Sequence, residues 1–143
     1  MYERNKPTGK QASLRFFSPI DMNKLKPLSP TLRERKRYMI YEVLSEKPIA
    51  IARKVSDAIE VSLQSLVGSI GSAKAGLIFL NDKYDAKTQR GVVRVTHTSI
   101  DPLAASLTFI QEIDHQPVIV RTLGVSGMLN KAISRFHTEA FKI

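Results

Sequence analysis

Over residues 36–46 apolar and polar positions alternate, with Met39, Tyr41 and Val43 on one side and Ile40, Glu42 and Leu44 on the other. A period of two sends successive side chains to opposite faces of a pleated chain, so this stretch predicts a first strand. The period then changes. Over residues 52–70, Val55, Ala58, Ile59, Leu63, Leu66, Val67 and Ile70 recur at three- and four-residue spacing, the stripe of an amphipathic helix ending near Gly71. Residues 76–80 and 91–97 read as short strands joined by the polar hairpin connection NDKYDAKTQ. Asp101-Pro102 predicts a second helix start, with Asp as cap and Pro in the first turn, and Leu103, Leu107, Ile110 and Ile113 as its buried stripe. Residues 116–125 return to strand, and Ser126-Gly127 opens a last helix with Leu129, Ala132, Ile133 and Phe136 inward.

The predicted order is β-α-β-β-α-β with an extra C-terminal helix. Two β-α-β halves in that order imply an α+β, ferredoxin-like architecture, an antiparallel four-stranded sheet with both main helices on one face. The other face, carrying Ile40, Glu42, Leu44, Val92, Arg94, Ile119 and Arg121, is then open, covered by the last helix, or buried against a partner. It is too apolar to be left wholly in water, so Ile40, Leu44 and Ile119 are the expected partner-binding residues. Residues 1–27 lack periodicity and predict a flexible basic extension in which only Leu14, Phe16, Phe17 and Ile20 form an apolar cluster. Residues 28–143 form the single domain.

Charge sharpens this division. Residues 1–37 hold ten Lys and Arg against Glu3, Asp21 and Glu34, so this quarter of the chain carries +7 of the net +9. The densest part, Arg33, Arg35, Lys36 and Arg37, immediately precedes the first strand, where a collar of fixed cations suits phosphate. Arg90 and Arg94 on the third strand are weaker candidates. A solvated basic tail would show the same composition. With no Cys, thiolate metal sites and disulfides are excluded. No apolar run approaches the roughly 18 to 20 residues that span a bilayer, and the N-terminus lacks a secretory signal pattern, so a soluble cytoplasmic protein without membrane attachment is expected.

A catalytic role requires a nucleophile, base or metal set, and the chain offers poor material for one. His97, His115 and His137 are scattered without metal-motif spacing, Asp82 and Asp85 suit a turn, and Asp101 suits a cap. No catalytic residues, metal site or protein-bound cofactor are expected. Base stacking on the sheet is also disfavoured, because Arg90-Gly91 is followed by Val92, Val93 and Arg94 rather than aromatics, which leaves backbone phosphate as the better target. The segment GVSGMLNK offers a second anion site through Ser126, Gly127 and Lys131. A plain Ser cap with Gly in a tight turn explains the same residues.

The segments PTLRERKRYMIYEVLSE (residues 30–46), RGVVRVTH (90–97), DPLAASLTFI (101–110) and GVSGMLNKAI (124–133), in this order, resemble protein component 2 of archaeal ribonuclease P. The similarity spans residues 27–136. It implies a noncatalytic subunit of the ribonucleoprotein that removes the 5′ leader from precursor tRNA, in which the RNA is the catalyst and uses the magnesium. It further implies association with ribonuclease P RNA and with protein component 3, in a heterodimer that can pair into a heterotetramer. From the residues alone, a ferredoxin-like regulatory module binding a small ligand or another protein remains the alternative.

Overall fold

The computed structural model describes residues 26–137, with the side chains of Phe136 and His137 outside that description. The apolar cluster of the N-terminal arm therefore lies outside the described residues. The chain divides into two units, Met1–Arg33 and Glu34–Ile143. In the first, Ser29 to Leu32 form a turn closed by the Leu32 N–H donating to the Ser29 carbonyl at 2.9 Å. Pro30 sits at the position where its fixed φ favours such a turn.

In the second unit β1 (Lys36–Ser45) is the centre of the sheet, antiparallel to β3 (Arg90–Thr96) on one side and β5 (Gln116–Ser126) on the other. With β2 (Ile78–Phe79) and β4 (Glu112–Ile113) at the edges, the order is β2-β3-β1-β5-β4. This is the ferredoxin-like arrangement with a fifth, two-residue strand added outside β5. The alternation read in β1 holds. Met39, Tyr41 and Val43 join Val93, Val95, Val118 and Val120 in the larger core, beneath α1 (Ala52–Ala75) and α2 (Ile100–Thr108). Lys54 at the start of α1 lies 2.8 Å from Asp114 of the β4–β5 hairpin, and its hydrogen bond and charge hold that carboxyl below the usual range.

Several boundaries differ from expectation. The first helix runs past Gly71 to Ala75, interrupted at Gly68 (φ 75°, ψ 177°), and ends on Gly76 in the left-handed conformation that closes helices. Leu66 and Ile70, assigned to its buried stripe, are exposed. Val55, Ile59 and Leu63 already complete the buried row, and the break at Gly68 ends its phase. The second helix stops at Thr108, so Ile113 belongs to β4. Asp114 and His115, with φ of 56° and 61°, supply the two positive φ values that a two-residue hairpin needs. Asp101 does not cap α2, because Ser99 holds that position and Asp101 stands inside the first turn, where its charge complements the helix dipole.

The opposite sheet face is covered over part of its length. There Ile40, Val92 and Ala132 form a second core with Tyr38, Leu80, Leu123, Leu129 and Ile133 packed against it. The cover is α3 (Leu129–Ala132), which continues as a π-helical turn over Ile133–His137. Met128, not Ser126, occupies its N-cap position. The Ser126 hydroxyl instead accepts the Met128 N–H at 3.2 Å, a turn that stops β5.

Candidate nucleic-acid interface

At the N-terminal end of β1 the backbone runs between β3 and the β5–α3 turn, so the collar residues meet both neighbours. The Arg35 carbonyl accepts the His97 N–H at 2.9 Å, with the His97 ring Nδ1 3.2 Å from the same oxygen. Lys36 Nζ donates to Thr96 Oγ1 at 3.3 Å and lies 3.5 Å from a Glu34 carboxylate oxygen. It also lies near Gly76, where a Cβ would stand 3.8 Å from it, and the carbonyl end of α1 favours a cation there. Arg37 Nη1 donates to the Lys36 carbonyl at 3.1 Å.

Arg37 also lies against Gly127. A Cβ at position 127 would come within 3.4 Å of Nη1, so the guanidinium rests on the glycine. The pairing of Tyr38 with Ser126 explains the encounter, because it sets the residues just outside that pair side by side. Two sequence candidates 90 positions apart, the collar and the Ser126-Gly127 turn, thus form one rim. Arg35, Gly127 and Lys131 are exposed and Lys36, Arg37 and Ser126 half-buried. Arg33 belongs to the other unit, where its Nε donates to the Leu28 carbonyl at 2.6 Å.

Arg90 is not available as a phosphate contact. Only 8% exposed, it donates from Nε to Glu42 at 3.0 Å. Arg121 reaches the other oxygen of the same carboxylate at 2.7 Å from Nε and 2.6 Å from Nη2. Glu42, itself 7% exposed, thus bridges two arginines on the sheet face, leaving the trio one net positive charge. The signal was present in the predicted face, which put Glu42 between arginines, but the pairing needs the register Glu42 with Arg90 and Arg121. Arg94 is half-buried, and its Nε has no hydrogen-bond partner among the described residues.

Ile40 is likewise withdrawn from any partner surface, fully buried beneath α3. Leu44 and Ile119, cross-strand neighbours beyond the reach of that helix, are 42% and 64% exposed. Among the described residues no group of three or more His, Asp or Glu could hold a metal, and no helix is long and apolar enough to cross a membrane.

Comparison with known proteins decides the family. The profile of the Rpp14/Pop5 family matches residues 37–137. The chain belongs to the Rpp14/Pop5 family. Among its relatives, ribonuclease P protein component 2 of Thermococcus kodakarensis is 40% identical over 116 residues, spanning 81% of this chain and 94% of that one. The protein of the same name from Methanocaldococcus jannaschii is 34% identical over 78% of this chain and 80% of its own. A chain in the cryo-EM structure of yeast ribonuclease MRP superposes with a TM-score of 0.51 at 19% identity, covering 69% of this chain and 78% of that one, a likeness of fold. The Glu42 clamp, the α3 cover and, of the rim, Arg37, Ser126, Gly127 and Lys131 fall within the segment that the Rpp14/Pop5 profile matches.

Proposed function

We propose that this chain is a noncatalytic protein subunit of ribonuclease P, which binds the RNA subunit through phosphate contacts and supports removal of the 5′ leader from precursor tRNA. The observation that carries this reading is the cationic rim at the start of β1, where Arg37, the first residue of the segment that matches the family, rests on Gly127 and follows Arg35 and Lys36. Arg94, Ser126 and Lys131 extend the contact surface, and Arg33, in the preceding unit, contributes a further phosphate contact. Phosphate contacts of this kind position an RNA without reading its bases. The magnesium belongs to the RNA, and the protein brings no metal of its own. Protein component 3 is the protein partner, meeting the Leu44 and Ile119 side of the sheet, in a heterodimer that can pair into a heterotetramer.

Reconstitution tests the assignment. The purified chain alone should leave precursor tRNA intact, while the chain added with protein component 3 to the cognate RNA should raise cleavage at modest magnesium. Cleavage at the mature 5′ end by RNA-free protein contradicts the assignment.

A further inference from the structure

β5 is a long strand with a short neighbour. It pairs with β1 from Val118 to Ser126, but on its outer side β4 covers only Gln116 and Pro117. The direction of the main-chain groups follows from two hydrogen bonds. Val118 donates its N–H outward to the Gln111 carbonyl at 3.0 Å, and Val43, the β1 partner of Val120, donates away from β5 to the Gln89 carbonyl at 2.9 Å. Alternation along an antiparallel strand then turns the N–H and C=O of Val120 and Thr122 outward as well. Among the described residues no hydrogen bond reaches those groups.

Open edges are usually blunted by Lys, by Pro or by a kink. Here Pro117 lies before the open stretch and the register shift opposite Ile40 and Tyr41 lies after it. Arg121 is the one charge between them, and because it shares Glu42 with Arg90 the trio keeps one net positive charge. Beside the edge a groove of about 620 Å³ is lined by Ala104, Thr108, Ile110 and Gln111 and by the edge itself, with Arg121 its one cation. On the other side stands the exposed pair Leu44 and Ile119.

We propose that the outer edge of β5 at residues 120–122 takes an extended main-chain segment of another protein of the assembly as a sixth strand. This deepens, and rests on, the reading of the chain as a ribonuclease P subunit. Main-chain donors and acceptors two residues apart select an extended polypeptide, and the flanking pockets select its alternate side chains. The incoming strand presents small or apolar residues to the groove beside α2. Toward the opposite sheet face it presents an apolar residue beside Ile119 and a carboxylate beside Arg121. RNA is disfavoured because the groove is lined by a single cation, Arg121, which Glu42 already holds. A second copy paired about Arg121 would set two arginines directly opposite one another, which is destabilising.

The test is amide hydrogen exchange of the full chain, free and within the ribonucleoprotein purified through a tag on this chain. The Val120 and Thr122 amides should exchange fast in the free chain and slow by about tenfold or more in the assembly. Thr122→Pro removes an N–H that points away from β1, a substitution edge strands tolerate. It should release the protein partner while leaving the salt dependence of RNA binding unchanged, and Thr122→Val should retain the partner. If Thr122→Pro fails to fold, exchange in the unmodified chain still decides. Equally fast amides in an assembly that contains ribonuclease P RNA overturn the strand addition alone. So does protection that arises with RNA only, or in the free chain as its concentration rises. A purified assembly without that RNA overturns the subunit reading, and the strand addition falls with it.

Discussion

Tyr41 crosses from β1 onto its β3 partner Gly91, and the ring occupies the space that a side chain at 91 would need. Gly91→Ala should therefore destabilise the fold by roughly 1–3 kcal/mol, the usual cost of overpacking, read as a lower urea midpoint at unchanged slope. A ΔΔG near zero would mean that the ring moves freely. Burial, and then the nearby Tyr84, raises the Tyr41 hydroxyl far above its usual range, while burial and then Asp85 push Tyr84 up to about 12. Both groups are neutral when protonated, and in the unfolded chain they ionise near pH 10. The unfolded state therefore loses its protons first, so stability is complete below about pH 10 and falls as the pH rises from there through 12. Tyr84 also donates to the Ile49 carbonyl at 2.8 Å. Tyr84→Phe should thus be less stable at pH 8 but lose less stability above pH 10, so that its urea midpoints approach the parent's at high pH. Parallel curves would rule out Tyr84 as a titrating contributor. None of this was legible in the sequence, because Gly91 and Tyr41 read separately as a strand glycine and a core aromatic.

The elements that were legible are those with one unambiguous period. β1 was assigned residue by residue, and the predicted second face, including Glu42, Leu44, Arg94, Ile119 and Arg121, matches the pairing register. β4 was missed because Ile113 fits the helical spacing from Ile110 and equally fits a strand, and only the turn at Asp114 and His115 separates the two. α3 was expected, but its docking was left open because a short amphipathic helix has one apolar side and two surfaces to choose between. Its choice of the sheet face removes Ile40 from contact with any partner. Ile40→Ala should accordingly cost the isolated protein about 2–5 kcal/mol, as for a core cavity, whereas Ile119→Ala should stay within about 0.5 kcal/mol. Chemical denaturation of both variants checks this. Equal small losses would show that the face under α3 is open after all.

For the molecule as a whole, the charge is partitioned so that the folded unit beyond β1's first turns is nearly balanced and the rim is not. Residues 38–143 carry only +2 of the net +9. Within that unit Glu42 bridges two arginines and Lys54 pairs with Asp114, whereas at the start of β1 Arg35 stays exposed next to Lys36 and Arg37. The collar was visible in the sequence as a run of cations. Its junction with Gly127 was not, since it depends on β5 returning beside β1. The measurement that tests the rim most directly is the salt dependence of binding to ribonuclease P RNA, compared between the parent chain and a variant with Arg33, Arg35, Lys36 and Arg37 replaced by Ala, both checked for intact fold. Each neutralised phosphate adds about 0.7 to 0.9 to the logarithmic slope, so the variant should bind more weakly across RNA sequences with a slope lower by roughly 3. An unchanged slope in that variant, alongside loss of binding when residues 1–26 are deleted, would contradict the rim as the RNA contact.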